Sequence, residues 1–147
     1  MFTIDTSVFV ADLTPTESGH AESRALLDRL RADGTPLILP TLLLVELAGV
    51  IGRVHGDPER AGRIVANLST NPQATFVALD AALALRAADL AAGHRLRGAD
   101  AVYVGVAQQA GCPLITLDTE QLRRVAGVIT ARTPAAALSS LPHAPDP

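Results

Sequence analysis

The chain contains no lysine, no tryptophan and a single cysteine among its 147 residues. Without lysine there is no Schiff-base chemistry and no lysine to hold a phosphate, so every one of the 12 cationic side chains is an arginine. Cys112 alone can make neither an internal disulfide nor a thiolate metal cluster, which suits a reducing compartment. Beside Pro113 it reads as a small buried hydrophobe. Aromatics are only 3% of residues, so the core has to be built from Leu, Val, Ile and Ala. No apolar run approaches the roughly 18 residues of a membrane span, and no basic stretch leads into an apolar one at the start; a cytoplasmic protein is expected. Excess positive charge is missing too, and a formal charge of −3 argues against a broad electrostatic grip on nucleic acid.

What is present is an ordinary globular balance, 48% hydrophobic and 18% charged, in a length suited to one domain. Residues 1–135 are assigned to that domain. The remainder, 136–147, is assigned to a C-terminal tail whose closing Pro-rich segment has the composition of a frayed end. A short helix is also expected over Thr133–Leu141.

Met1 to Asp5 has the residues of a strand running into Asp5-Thr6-Ser7, a helix start. Glu22–Leu30 carries a helical period. Pro36–Pro40 is a brief apolar run of the kind covered on both faces in a parallel sheet. Thr41 stands as the cap of a helix whose apolar residues Leu43, Leu47, Val50, Ile51 and Val54 recur on one face. Asp57-Pro58 starts a further helix, and Thr75–Leu79 reads as a third strand. After an alanine-rich helix capped by Asp80, the loop 93–98 delivers Asp100 to the next helix, Ala101–Ala110. Pro113–Leu117 is a fourth strand ending at Asp118, and Val128–Thr130 a fifth. Strands alternating with helices imply an α/β domain with a mostly parallel sheet of about five strands. Asp5 and Asp118 then fall at carboxyl ends of strands, where such sheets place their ligand crevice.

Each aspartate has an equally ordinary reading as a helix cap. Glu46 is harder to explain that way, because it sits inside Leu42–Leu47, the most apolar segment of the chain. A partly buried carboxylate needs a proton or a cation, and Arg53 at i+7 is available as a plain salt-bridge partner. Four carboxylates gathered without compensation would oppose folding; a divalent cation resolves the conflict. Oxygen donors without His or Cys select Mg²⁺ or Mn²⁺ over zinc. Setting aside the four acids leaves a charge of +1 for the rest of the chain, and a bound cation would reverse the local sign.

Asp5-Thr6-Ser7 after the first strand, Glu46 in an apolar helix, Arg97–Ala101 opening a helix, and Leu114–Asp118 together resemble the PIN-domain ribonucleases, and among them the small VapC toxins. The resemblance spans about residues 1–135. It implies a three-layer α/β/α domain with Asp5, Glu46, Asp100 and Asp118 around one or two Mg²⁺ or Mn²⁺ ions. It further implies hydrolysis of RNA by cation-activated water, a VapB-like antitoxin as partner, and a homodimer. Thr116 matches the family's hydroxyl near the last acid, with Thr6 in a similar place beside Asp5.

Arg95 and Arg97 have two readings, as clamps on substrate phosphate and as solvated loop charges. Arg123 and Arg124 are expected on the surface. His20, His55, His94 and His143 are scattered without the spacing of a zinc site or a triad, and are taken as structural or surface residues. Tyr103 is expected to pack in the core with a wet hydroxyl, in preference to stacking on a base. A receiver or phosphatase domain would also put acids at strand ends, but these use a lysine that this chain lacks. A housekeeping RNA-processing nuclease and a non-catalytic RNA-binding domain of the same fold are the remaining alternatives.

Overall fold

Phe2, Thr3 and Ile4 are aromatic or β-branched residues suited to a pleated surface, and they form the first pairings of the sheet. The computed structural model describes residues 1–142, the side chain of His55 excepted, so the expected frayed end, with His143, lies outside the described residues. In chain order the elements are β1 (Thr3–Ile4), α1 (Thr6–Leu13), α2 (His20–Ala32), β2 (Leu37–Pro40), α3 (Leu42–His55), α4 (Pro58–Ser69), β3 (Ala74–Val77), α5 (Ala81–His94), α6 (Gly98–Ala110), β4 (Leu114–Ile115), α7 (Thr119–Arg124), β5 (Ala131–Arg132) and α8 (Pro134–Ser140).

Most boundaries follow from local chemistry. Asp57 accepts a hydrogen bond from the Arg60 amide at 2.8 Å and Asp80 one from the Leu83 amide at 2.9 Å, each satisfying an orphan donor of a first helical turn. Thr41 departs from expectation. Its own backbone is already helical (φ −58°, ψ −23°), so its side chain makes no cap bond. Its hydroxyl instead accepts from the Leu79 amide at 3.3 Å, which ties the ends of β2 and β3 together.

All strand pairs are parallel. β1, β4 and β5 form one ladder and β2 and β3 another, and a bridge between Phe2 and Leu37 joins them into the order β3-β2-β1-β4-β5. The fifth strand lies later than Val128–Thr130. Gly127 turns at φ +86°, and the amides of Val128 and Ile129 bond back to the Val125 carbonyl, so that stretch closes a turn and pairing begins at Ala131. Val128 and Ile129 are apolar because their side chains pack on the core, which is what made them look like a strand.

The chain therefore walks from β1 to one edge, then returns past β1 to build the other. With right-handed crossovers, α1–α4 cover one face and α5–α7 the opposite one, giving three layers. Between them Ile4, Leu26, Leu39, Leu43, Val104, Leu114 and Ile115 are sealed from solvent. On α3 the buried stripe is Leu43, Leu47 and Ile51, whereas Val54 projects into solvent. Helix α8 packs on α2 and β5 and buries Ala137, so the packed body continues past residue 135. Among the described residues no helix is long and apolar enough to cross a membrane.

Strand order reverses between β1 and β4, and in a parallel sheet the crevice opens beyond the carboxyl ends at that reversal. One glycine guards this edge. Gly19, at φ +83°, would bring a Cβ to 2.8 Å from Leu117 Cδ2, whereas Gly111, at φ +60°, faces open space. Gly111→Ala is expected to cost roughly 1–2 kcal/mol from left-handed backbone alone. Gly19→Ala should cost about 1 kcal/mol more through overpacking. Urea denaturation of both variants checks this, and equal losses would mean that Leu117 moves aside freely.

Candidate functional site

Asp5 follows β1 directly. It is 8% exposed and caps α1, with Oδ1 accepting from the Ser7 amide at 2.8 Å. Asp118 follows β4 by three residues and caps α7, with Oδ1 accepting from the amides of Glu120 (2.8 Å) and Gln121 (2.9 Å). Capping and a site role are thus compatible in both, since the cap uses one carboxylate oxygen and leaves the other. Thr116 Oγ1 accepts from the Asp118 amide at 3.1 Å and fixes the backbone there. Ser7 Oγ accepts from the Leu117 amide at 3.1 Å, which stitches the start of α1 to the end of β4. A side chain bonding a backbone amide 110 residues away leaves no pattern in the sequence.

Glu46 is half-buried on α3. Its Oε2 accepts hydrogen bonds from Thr6 Oγ1 at 2.8 Å and from the Tyr103 hydroxyl at 2.7 Å, and those two hydroxyl oxygens are 2.5 Å apart. Among the described residues Glu46 makes no ion pair, and exposed Arg53 is not its partner. Tyr103 is 1% exposed, which corrects the expectation of a wet hydroxyl: the α6 helix drives the ring through the core so that the hydroxyl ends on Glu46 instead of solvent. Burial, and then Glu46, push its phenol above the usual range.

Asp100 is half-buried in the first turn of α6, one helical turn before Tyr103. Burial raises its pKa, the Arg97 guanidinium opposes that, and the charges of Asp118 and Glu46 raise it further. Asp5 is pushed up to about 6, chiefly by burial; the hydrogen bonds from Ser7 act against this, and Asp100 and Glu46 add to it. The Asp5 and Asp100 carboxyls therefore share the field of Glu46, and Asp118 adds to it at Asp100. Gln121, buried on α7, donates from Nε2 to the Asp100 carbonyl at 3.4 Å, a support that no sequence signal announced.

Arg97 reaches across the mouth, with Nη2 3.4 Å from Asp118 Oδ2. Arg95, exposed at the left-handed end of α5 (φ 56°), makes no ion pair among the described residues. Arg123 and Arg124 pair with Glu120 on the surface. His20 Nδ1 lies 2.7 Å from the Ala11 carbonyl and braces α1 against α2, while His94 sits in the last turn of α5.

No three Asp, Glu, His or Cys side chains among the described residues surround a common point in metal-ligating geometry. The donor chemistry nevertheless fits a hard divalent cation: oxygen ligands, mutual repulsion that a cation would relieve, and a Glu46 Oε1 without a described hydrogen bond.

The PIN domain family model matches residues 2–128, and the chain belongs to that family. A search of curated proteins found no match. Among solved structures, the chain resembles VapC20 of Mycobacterium tuberculosis, described as a Sarcin-Ricin loop cleaving toxin, at TM-score 0.69 and 19% identity over 84% of this chain and 94% of that one. DNA-bound VapBC from Salmonella typhimurium matches at TM-score 0.67 and 17% identity, covering 90% and 97%. FitAcB from Neisseria gonorrhoeae matches at TM-score 0.65 and 20% identity, covering 91% and 98%. The fold is that of the VapC toxins.

The raised Asp5 predicts a pH dependence. Its proton is held more tightly in the folded state than the ordinary 3.8, so the stabilisation from protonation is complete below about 4 and is lost as pH rises through about 6. A shift of this size corresponds to about 3 kcal/mol. Asp5→Asn keeps an oxygen for the Ser7 amide, so with EDTA present the variant should be more stable than wild type by up to that amount at pH 7, and the gap should close near pH 4. Parallel stability curves for the two proteins would contradict this.

Proposed function

We propose that the chain is a divalent-cation-dependent endoribonuclease, the toxin of a VapBC-type pair, using Mg²⁺ or Mn²⁺. The observation that carries this is that Glu46 Oε2 is bound by Thr6, the residue after Asp5, and by Tyr103, one helical turn after Asp100, so that acids from three separate elements meet at the strand reversal, where burial and neighbouring carboxylates raise Asp5 and Asp100. Membership of the PIN family and the VapC fold support it.

In this proposal Asp5, Glu46 and Asp100 hold the cation and Asp118 completes the pocket. When bound, the cation supplies positive charge for the scissile phosphate and favours water as the nucleophile for an in-line hydrolysis. The protein's part is to keep the acids aimed. Ser7 and the α1 backbone hold Asp5, Thr6 holds Glu46, and Thr116 with the first turn of α7 holds Asp118. Arg97, with Arg95 two residues before it in the chain, would meet the phosphates of RNA, leaving Asp118 as it does so. RNA is the favoured substrate because VapC20, of like fold, is described as cleaving the Sarcin-Ricin loop. A VapB-like antitoxin is the proposed partner because several structures of this fold are toxin–antitoxin complexes. A homodimer is proposed from the family resemblance.

The test is incubation of the purified protein with total RNA in Mg²⁺, Mn²⁺ or EDTA. Discrete fragments are expected with either cation and none with EDTA. Asp5→Asn, Glu46→Gln and Asp100→Asn should each lower cleavage by on the order of 100-fold or more, since even indirect supports of a metal site cost about 10–100-fold. Undiminished cleavage by all three variants would identify a contaminating nuclease and sink the assignment.

A further inference from the structure

We propose that Tyr103 is a positioning residue for the cation, its buried hydroxyl acting with that of Thr6 to anchor Glu46 by Oε2 so that Oε1 is the oxygen offered to the ion. This deepens the nuclease reading above and rests on it. A glutamate has three side-chain torsions, and α3 by itself constrains only where that side chain starts: Leu43 and Leu47 lock the helix into the core, while the carboxylate swings. Two hydroxyls within 2.8 Å of one oxygen remove that freedom.

The arrangement is a closed triangle of oxygens, Thr6 Oγ1, Tyr103 OH and Glu46 Oε2, with edges of 2.8, 2.7 and 2.5 Å. Two hydroxyl protons serve three edges while Glu46 is ionised, so at least one always points at the carboxylate. The triangle also joins three elements, α1 through Thr6, α3 through Glu46 and α6 through Tyr103. Tyr103 lies three residues after Asp100, so the stretch of α6 that brings one acid to the pocket also orients another. A phenylalanine would fill the same space in the core. Thr6 and Glu46 are the described hydrogen-bond partners of the hydroxyl, so what tyrosine adds at this position is the hold on Oε2.

The test is Mn²⁺ titration of the full chain by isothermal calorimetry, comparing wild type with Tyr103→Phe, Thr6→Val and Thr6→Ser, and circular dichroism to verify folding. Tyr103→Phe and Thr6→Val should each weaken Mn²⁺ binding by roughly 10-fold or more, the usual scale for losing an outer partner of a metal ligand. Thr6→Ser, which keeps the hydroxyl, should bind like wild type. Cleavage of RNA by Tyr103→Phe should recover toward the wild-type kcat as Mn²⁺ is raised, which a mere packing role would not produce. A folded Tyr103→Phe with wild-type Mn²⁺ affinity overturns the proposal. If that variant does not fold, wild-type affinity in Thr6→Val overturns it. Wild type that takes up no Mn²⁺ at all overturns the nuclease reading and this inference with it, an outcome distinct from the others.

Discussion

Carboxylates repel one another, and they repel most where water is scarce. At the edge of this sheet Asp5 is nearly sealed from solvent, Glu46 and Asp100 are half-buried, and each of the raised groups is raised further by its neighbours. Nothing in such an arrangement favours folding by itself. The rest of the structure holds it in place: a core of aliphatic residues strong enough to bear a strained polar corner, and hydroxyls and amides that each take up one carboxylate oxygen. Tension at a site, relieved by a ligand and tolerated by the scaffold, is a common arrangement where chemistry is done.

The scaffold gives that corner its shape through topology. Because β1 is central and the chain returns to its far side for β4, two strand ends that are more than a hundred residues apart in sequence become neighbours. The Ser7 hydroxyl bonded to the Leu117 amide fixes their relative position, and Gly19 leaves the room that Leu117 occupies. Helices α3 and α6 then bring Glu46 and Asp100 from elements far apart in sequence. Tyr103 links those helices by a hydrogen bond at the point where their acids are presented.

Low identity to the structures of like fold, 17% to 20% among the three compared, is consistent with this division of labour. An aliphatic core accepts many substitutions of similar volume. The VapC fold therefore survives wide divergence.

Much was legible in the sequence. Caps at Asp57 and Asp80, the apolar runs of β2 and β4 and the Leu43, Leu47 and Ile51 stripe on α3 are local features, set by backbone propensity and by which residues avoid water, and they stand where the residues place them, Val54 at the end of that stripe excepted. Glu46 stood out because it lies inside an apolar helix, whereas each aspartate alone read equally well as a helix cap. Other features were not legible. Thr41 gave up its cap for a bond to Leu79, the fifth strand began after Val128–Thr130 because Gly127 and the Val125 carbonyl claimed that segment, and the Tyr103 hydroxyl met Glu46 instead of water. The first and last depend on contact between residues distant in sequence, whose geometry no local pattern encodes, and the local turn at Gly127 was hidden because Val128 and Ile129 pack on the core. By itself the sequence determined the layers and the helices, since burial and propensity act along the chain. Tertiary structure alone decided which acids share a field and which hydroxyls hold them, because those energies depend on distances through space.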